Sequence, residues 1–495
     1  MNRYWCWMEL ALLAVCVLVS GVAMGAETQD NPAAAARSLV GRSGVQGGLV
    51  VHVGCGDGRL AAALGRNDSF LVHGLDTDAD DVSRARNYIH SQDLYGRVSV
   101  EHWDGQELPY ANRLVDLLLL SEGASVPRSE LMRVLSPGGV LFVEESGGWK
   151  KTVKRWPEDI DEWTHFLYDS TNNAVSSDTE VGPPRYLQWK GSPYYSRSHE
   201  HLSSTSSVVT SEGRMFYIVD RGPTPTVTMP SEWYLEARDA FNGVKLWQKR
   251  VEPWAYRLQG FRTGPPHLAR RLVASGDTVF ATLGYGEPVS ALDAETGRVM
   301  RTYEETGPAS EMVYRDGVLY VVTQDREQQL ASLRAIRRGN TVTESGSGLA
   351  TVRASTGEVL WKTDGAENGY IMPTTLAVAD GRAYYQNTDE VVCLDAATGH
   401  RLWKAERPVS RSRLSWSTPT LVVRDGVVIS ADRDSSAVTG SVPSREGAVQ
   451  WVEESRGGIA PRGKLIAFAA ESGRRLWSSA AQEVYNAPVD VLVTR

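Results

Sequence analysis

Apolar and polar residues follow two different rhythms along this chain of 495 residues. In the first part, short apolar runs such as LVVHV and VDLLLL alternate with stretches that have the periodicity of amphipathic helices. We predict five strands, Leu49–Val53, Phe70–Leu75, Val98–Glu101, Leu114–Leu120 and Val140–Val143, and three helices, Arg59–Leu64, Asp80–Ser91 and Arg128–Leu135. This alternation predicts an α/β, doubly wound, Rossmann-like domain whose ligand site lies at the carboxyl ends of parallel strands.

The second part of the chain repeats a short motif with a glycine four residues before its last position. Its five copies are ARDAFNGVKLW (237–247), ALDAETGRVMR (291–301), TVRASTGEVLW (351–361), CLDAATGHRLW (393–403) and AFAAESGRRLW (467–477). A second turn signal, such as RDGVLY or ADGRAY, precedes each copy. Two hairpins per repeat make four strands, and four-stranded repeats predict an all-β propeller.

The two ends of the repeat region resemble parts of blades. GPPRYLQWKGSP (182–193) is predicted to be the outermost strand of a blade, and the final NAPVDVLVTR resembles the first strand of a sixth. We therefore expect about five blades plus the start of a sixth, in a propeller that is incomplete at its C-terminus. The predicted boundaries are 1–26 for a signal peptide, 40–150 for the α/β domain, 151–180 for a connector and 181–495 for the propeller.

The first 30 residues have the organisation of a secretory signal peptide. Arg3 precedes an apolar run from Leu10 to Val22, and small residues follow before Glu27. The run is shorter than the ~20 apolar residues of a membrane span. We expect a periplasmic or secreted protein with no membrane span after the signal is removed.

The charge distribution argues against a nucleic-acid partner, and the cysteine content argues against a disulfide-stabilised or CxxC metal-binding fold. The net charge is −8, and basic residues alternate with acidic ones rather than forming a patch, so nucleic acid is not an expected partner. After removal of the signal only Cys55 and Cys393 remain, in different predicted domains. They form neither a disulfide framework nor a CxxC metal pair.

The loop after the first strand, GLVVHVGCGDGRL, is the strongest candidate for a ligand site. Gly54, Gly56 and Gly58 lack the Cβ atoms that would keep a ligand away from the backbone. The dinucleotide fingerprint would need a glycine where Arg59 stands. With LPY, VD and LMRVLSPGGVLFV following in order, the domain resembles the class I S-adenosylmethionine-dependent methyltransferase family, which implies S-adenosylmethionine as a possible cofactor.

This resemblance implies roles for three further residues. Asp76 in HGLDTD matches the acid that accepts the ribose hydroxyls, Asp104 in HWDG matches the acid that accepts the adenine amino group, and Trp103 is placed to flank the ring. The sequence departs from the family pattern at two places, so cofactor binding and methyl transfer are considered separately. His52 stands where the family carries an acid that helps to hold the methionine amino group, and the sheet is predicted to end near Glu145, two strands short of complete members. We assign no catalytic residue.

The repeat resembles the pyrroloquinoline-quinone-type β-propeller, whose motif has the form AxDxxTGxxxW. The resemblance implies that the motif tryptophans dock between blades: Trp247, Trp361, Trp403 and Trp477, with Arg301 as a departure. Quinoprotein alcohol dehydrogenases carry a vicinal cysteine pair, which is missing here, so pyrroloquinoline quinone is not expected. We predict a scaffold that binds a protein or polysaccharide; a quinone-dependent oxidoreductase and an active methyltransferase are the alternatives.

A polar cluster occupies the connector and the residues just after it. It comprises Asp161, His165, Asp169, Asn172, Asn173, His199 and His201. These residue types suit either a metal site at the propeller mouth or a segment held by structural hydrogen bonds. The spacing fixes no complete ligand set, so we predict hydrogen-bonded structure and no metal.

Overall fold

The computed structural model describes residues 31–180, 182, 187–192, 205–224, 229–252, 266–325, 346–409, 419–433, 462–482 and 491–494. The predicted signal peptide, His199 and His201 lie outside the described residues. The chain divides into two compact units, Met1–Trp156 and Pro157–Arg495. No helix in the described ranges is long and apolar enough to span a bilayer.

The first unit is a six-stranded sheet with helices. Its helices are α1 (Pro32–Ser43), α2 (Arg59–Leu64), α3 (Ala79–Ser91) and α4 (Arg128–Val134), and its strands are β1 (Gly48–Val53), β2 (Phe70–Asp76), β3 (Val98–His102), β4 (Val115–Leu120), β5 (Leu135–Glu145) and β6 (Gly148–Val153). The strand order is β3-β2-β1-β4-β5-β6. The first five strands are parallel and β6 is antiparallel to β5, which confirms the doubly wound fold.

Burial explains why these strands form a central sheet. Every residue of β1 and β4 is buried, as expected for parallel strands covered on both faces. Val50 and Leu117 belong to the hydrophobic cluster on one face, and Val51 and Leu118 to the cluster on the other. Because β1 is a central strand that is buried on both faces, the glycine-rich loop that follows it lies at the carboxyl end of a well-packed strand.

Two elements of this unit differ from the sequence prediction. Helix α1 was not predicted, although the Asn31 side chain caps it by accepting the amides of Ala33 and Ala34 and Gly44 ends it at φ +80°. Strand β6 lies beyond Glu145, where the sheet was predicted to end. The apolar pattern missed β6 because its residues are largely exposed.

The second unit contains five four-stranded antiparallel sheets, which we call blades 1 to 5. Blade 1 has β7 (Thr205–Ser211), β8 (Arg214–Asp220), β9 (Trp233–Asp239) and β10 (Lys245–Arg250); blade 2 has β11 (Leu272–Ser275), β12 (Thr278–Thr282), β13 (Val289–Asp293) and β14 (Val299–Tyr303); blade 3 has β15 (Ala309–Arg315), β16 (Val318–Thr323), β17 (Gly348–Arg353) and β18 (Val359–Thr363). Blade 4 has β19 (Ala377–Ala379), β20 (Arg382–Gln386), β21 (Glu390–Asp395) and β22 (Arg401–Glu406), and blade 5 has β23 (Thr420–Arg424), β24 (Val427–Arg433), β25 (Arg462–Ala469) and β26 (Arg475–Gln482).

Short helical turns connect some of these strands: 3₁₀ turns at Pro266–Arg271 and Glu304–Thr306, and α5 at Gly365–Asn368. The first strands of consecutive blades, β7, β11, β15, β19 and β23, contact one another in that order. They are therefore the innermost strands of a propeller, and the motif tryptophans lie on the fourth, outermost strands.

Motif tryptophans join neighbouring blades. Their indole nitrogens donate to an alanine carbonyl of the next blade: Trp247 to Ala294 at 2.8 Å, Trp361 to Ala396 at 3.0 Å and Trp403 to Ala470 at 2.9 Å. Trp189, in the segment predicted as an outermost strand, makes the same bond to Ala240 at 3.1 Å although no strand is assigned there. Trp477 is 45% exposed among the described residues. Blade-to-blade packing is thus confirmed for the first three motif tryptophans.

The departure at Arg301 has a structural compensation. Tyr303, two residues later, donates its hydroxyl to the carbonyl oxygen of Ala354 at 2.6 Å, which replaces the indole hydrogen bond. The Arg301 side chain lies over Gly357, where the other blades place an indole ring. In the contact between blades 2 and 3, Tyr303 therefore supplies the hydrogen bond and Arg301 covers the turn glycine, two roles that one tryptophan has in the other blades.

Candidate functional site

The glycine-rich loop between β1 and α2 requires glycine at three positions. Gly54, Gly56 and Gly58 have φ of +73°, +53° and +75°. A Cβ on Gly58 would lie 2.8 Å from the Cβ of Ala85, so this glycine allows α2 and α3 to approach each other. A Cβ on Gly56 would meet no atom within 4 Å, so open space lies above the middle of the loop. A ligand can therefore approach the backbone there.

Asp76 ends β2 directly beside this loop and is only 8% exposed. One carboxylate oxygen accepts the amide of Gly56 at 2.8 Å and the other accepts the amide of Asp78 at 3.1 Å. Each oxygen keeps a second lone pair for a ligand hydroxyl. Asp76 thus shapes the loop and also fits the ribose role that the resemblance implies.

Asp104 and Trp103 follow β3 and differ sharply in exposure. Asp104 is exposed, and its carboxylate accepts only the amide of Gln106, at 3.0 Å, in the described contacts. Trp103 is 7% exposed, packs in the cluster that contains Leu75, and donates its indole N–H to the carbonyl of Glu107 at 2.8 Å. The structure accounts for Trp103 as a core side chain, and its contact with an adenine ring stays a prediction.

His52 lies at the end of β1, two residues before the loop, and is 3% exposed. Its Nε2 is 2.9 Å from the Oγ of Ser121, the residue that follows β4, and its Nδ1 has no hydrogen-bond partner. Burial lowers the pKa of His52 to about 4, against the opposing effect of the Asp76 charge. The imidazole is therefore neutral near pH 7.

Ser121 is a neighbour of the loop that the sequence reasoning missed. Its amide donates to the carbonyl of Val53 at 3.0 Å, and a Cβ on Gly54 would lie 3.3 Å from its Cβ. The available signal was its place directly after β4, because the strand ends on either side of the switch point face the ligand. Cys55, in the loop itself, is not reactive, since burial and then Asp76 raise the pKa of its thiol to about 12.

In the second unit, residues 161–173, here called the axial segment, lie against the innermost strands of all five blades. One amide on each innermost strand donates to it: Thr210 to the carbonyl of Trp163 (2.8 Å), Ala274 to the carbonyl of Thr164 (3.0 Å), Tyr314 to Nε2 of His165 (3.1 Å), Val378 to the carbonyl of Ser170 (2.7 Å) and Val423 to the carbonyl of Thr171 (3.0 Å). The segment predicted as a connector is thus part of the propeller.

Asn172 is a buried residue of the axial segment whose side chain forms several hydrogen bonds to the blades. It is buried at φ +63°, and its amide nitrogen donates to the carbonyls of Leu376 and Leu421, each at 3.0 Å. Its side-chain oxygen accepts a hydrogen bond of 2.5 Å from Arg270. Arg270 is in turn paired with buried Glu311 at 2.9 Å. Asn172 therefore bonds directly to residues at the innermost strands of blades 4 and 5, and through Arg270, in the turn before blade 2, it is connected to Glu311 of blade 3.

The remaining polar residues of the axial segment are also engaged. His165 is buried, and burial followed by the charge of Arg270 lowers its pKa to about 3. Burial would raise the pKa of Asp161, but hydrogen bonds from Tyr168 (2.6 Å) and its other donors lower it to about 2. Asp169 accepts the amide of Thr171, and Asn173 exchanges two hydrogen bonds with Val493.

These contacts confirm the interpretation as hydrogen-bonded structure for the five cluster residues that the structure describes, Asp161, His165, Asp169, Asn172 and Asn173. In the described ranges no group of three or more His, Cys, Asp and Glu side chains is arranged to hold a metal ion.

The fold and the site define a two-domain protein, in which a methyltransferase domain precedes a propeller of four-stranded repeats. Residues 50–139 match the family model described as a methyltransferase domain. Residues 232–342 and 327–479 match the model described as outer membrane protein assembly factor BamB. Because these two matches span about half of the sequence, the chain belongs to this BamB-like repeat family and carries a methyltransferase domain in front of the repeats.

Curated relatives match parts of the chain. Methyltransferase GfsG of Streptomyces halstedii is 34% identical over 106 residues, which are 20% of this chain and 38% of the relative. Serine/threonine-protein kinase AfsK of Streptomyces coelicolor is 28% identical over 169 residues, 30% of this chain and 20% of the kinase. The chain therefore spans well under half the length of either relative.

Solved structures show a similar partial match. A SAM-dependent methyltransferase from Aquifex aeolicus is 21% identical, with a TM-score of 0.21, and the match covers 22% of this chain and 62% of that one.

Proposed function

We propose that the first unit binds S-adenosylmethionine and that the propeller is a scaffold for a protein or polysaccharide partner in an exported protein. One observation carries the cofactor proposal: the loop is open above Gly56 and is bonded to Asp76, and exposed Asp104 follows the next strand of the sheet, β3. These residues follow three adjacent parallel strands, the usual place for a nucleotide-type ligand.

The residues present fit this cofactor at its nucleoside end. Asp76 has lone pairs for the ribose hydroxyls, and Asp104 is available to accept the adenine amino group. Gly54 and Gly56 have positive φ, which favours glycine, and their missing Cβ atoms let the cofactor approach the backbone. When bound, S-adenosylmethionine supplies an electrophilic methyl group.

The proposal stops at binding, because the side chains nearest the loop are poor acid–base groups. His52 is neutral near pH 7 and accepts protons only in acid, and the raised pKa of Cys55 keeps its thiol protonated. Neither group therefore supplies a charge or an activated nucleophile at this edge of the sheet.

The scaffold proposal rests on how the second unit uses its polar and aromatic residues. Trp247, Trp361 and Trp403 form hydrogen bonds between neighbouring blades, and the axial segment forms hydrogen bonds to the innermost strands. These residues therefore stabilise the propeller. Such a rigid array offers loops and outer strands as binding surfaces. Export is proposed from the signal-like sequence of the first 26 residues.

Calorimetric titration of the full chain with S-adenosylmethionine tests the cofactor proposal. We expect micromolar affinity, about −8 kcal/mol, reduced at least tenfold by Asp104→Ala, because this exposed carboxylate is not needed by the loop. Asp80→Ala removes an equally exposed acid from α3 and controls for net charge. Absence of binding by a folded chain, or equal losses in the two variants, would overturn the proposal.

A further inference from the structure

The groove on blade 1 that receives Trp189 is built like the contacts between successive blades. The indole of Trp189 donates to the carbonyl of Ala240 at 3.1 Å, and its ring covers Gly243, where a Cβ would overlap it. Outer-strand tryptophans cover the turn glycines of three later blades in the same way: Trp247 on Gly297, Trp361 on Gly399 and Trp403 on Gly473. Blade 1 therefore carries a complete docking groove for the outer strand of another blade.

Residues 187–192, here called the strap, occupy this groove although no strand is assigned to them. Their described hydrogen bonds to blade 1 all involve a side chain: Trp189 to Ala240, Gln188 to the carbonyl of Phe241 at 3.0 Å, and Arg221 and Arg238 to the carbonyl of Ser192 at 3.2 Å each. A segment held in this way can leave the groove without opening the β-ladder of blade 1, so its local release costs less free energy than the loss of an outer strand.

Buried charges on blade 1 hold the carbonyl end of the strap. Glu236 is fully buried and accepts hydrogen bonds from the hydroxyl of Tyr217 at 2.7 Å and from Arg221 at 2.8 Å. The guanidinium groups of Arg221 and Arg238 then meet at one main-chain carbonyl, that of Ser192. Every residue has such a carbonyl. The groove therefore selects for a tryptophan on an extended backbone, and the remaining side chains of the strap are not required.

Trp477 is an outer-strand tryptophan whose side chain is accessible. It is paired with Ala467 across β25 and β26, in the register that pairs Trp403 with Cys393 in blade 4. Its side chain is 45% exposed, whereas that of docked Trp361 is 9% exposed. The outer strand of blade 5 therefore presents the same group, in the same strand position, that the groove on blade 1 receives.

We propose that blade 5 of a second copy of this chain docks on blade 1 through Trp477, and that the strap competes with it for the groove. Groove and tryptophan lie on different blades, so the contact is head-to-tail. Its tether gives the strap an effective concentration on the order of millimolar, which favours the strap in dilute protein. A docked blade buries more apolar surface than six residues, which favours the second copy once the strap is weakened. The inference goes beyond the proposed function and does not depend on cofactor binding.

Sedimentation velocity of the full chain over a range of concentrations tests this competition. Trp189→Ala empties the groove and is expected to tighten self-association about tenfold or more relative to the wild type. Adding Trp477→Ala to this variant should abolish the gain. Leu402→Ala is the matched control, because Leu402 is 49% exposed and precedes the motif tryptophan of blade 4, which is already docked. Added to Trp189→Ala, it should leave the association unchanged.

A peptide with the strap sequence LQWKGS should dissociate the Trp189→Ala assembly, and the same peptide with alanine in place of tryptophan should not. Self-association of Trp189→Ala no tighter than that of the wild type would overturn the inference, as would association that survives Trp477→Ala or equal effects of the two peptides. Circular dichroism establishes that each variant is folded. Should Trp189→Ala not fold, Gln188→Ala removes one hydrogen bond of the strap and is expected to tighten association about threefold; no change there would equally overturn the inference.

Discussion

At the scale of single residues, similar glycines in one loop have different physical reasons. Gly56 and Gly58 both have positive φ, yet only Gly58 is pressed against a neighbouring element, the α3 residue Ala85. Gly56 faces open space. Both positions are glycine in the sequence, so only the packing shows that Gly58 is required for the contact with α3 and that Gly56 leaves room for a ligand.

Substituting the two glycines by alanine should therefore affect different properties, chiefly stability at Gly58 and chiefly ligand binding at Gly56. Gly58→Ala adds a steric clash to an unfavourable φ and is expected to cost about 2–4 kcal/mol of unfolding free energy. Gly56→Ala should cost only about 1–2 kcal/mol, from φ alone, and should weaken ligand binding instead. Urea unfolding followed by circular dichroism at 222 nm checks both values. A Gly56→Ala chain that is the less stable of the two would contradict this reading.

At the scale of elements, the axial segment shows how a polar connector becomes core structure. Its chain runs past the innermost strands, and the exposed amides of those strands need acceptors, which the segment supplies through Trp163, Thr164, His165, Ser170 and Thr171. Innermost strands are edge strands of their sheets, so this pairing also covers edges that would otherwise be open.

Asn172→Ala is expected to destabilise the second unit by about 2–4 kcal/mol, because it removes the acceptor of Nη1 on buried Arg270 and places alanine at positive φ. Phe166→Ala, in the same segment, truncates a side chain that is 38% exposed and should cost less than half as much. Denaturant unfolding followed by tryptophan fluorescence measures both. Equal losses would mean that Asn172 does not tie the segment to the blades.

At the scale of the whole molecule, the second unit is held together by one contact that recurs from blade to blade. An outer-strand tryptophan covers the turn glycine of the next blade, and Tyr303 with Arg301 performs this role once. Each contact links only neighbours, so stability accumulates along the array as in other repeat proteins.

Two glycines of blade 4 separate docking from turn strain. Gly399 (φ +74°) would place a Cβ 2.6 Å from the Trp361 ring, whereas Gly381 (φ +72°) would place one in open space. We expect Gly399→Ala to lower the unfolding free energy by about 1–3 kcal/mol more than Gly381→Ala. Thermal unfolding of the two variants measures the difference, and equal midpoints would show that the tryptophan contact adds nothing.

The sequence predicted those parts of the fold that depend on local periodicity and turn chemistry. Most strands and helices of the first unit and the four-stranded repeats follow from patterns within a few residues, whereas the docking of Trp247, Trp361 and Trp403 was implied by the resemblance of the repeat to a known propeller family. It missed α1, because only Ala36, Leu39 and Ser43 of this helix are buried and its apolar periodicity is weak, and it missed β6, because an exposed edge strand has no apolar alternation.

The sequence by itself therefore determined the two fold classes, their order and the glycine, aspartate and tryptophan positions, since these depend on backbone conformation and alternating burial. Only the tertiary structure decided that Trp103 is a core side chain, that Ser121 adjoins His52, and that residues 161–173 join five blades. These facts depend on contacts between residues far apart in the chain. Burial and hydrogen bonding at such contacts are properties of the packed molecule, and no local pattern encodes them.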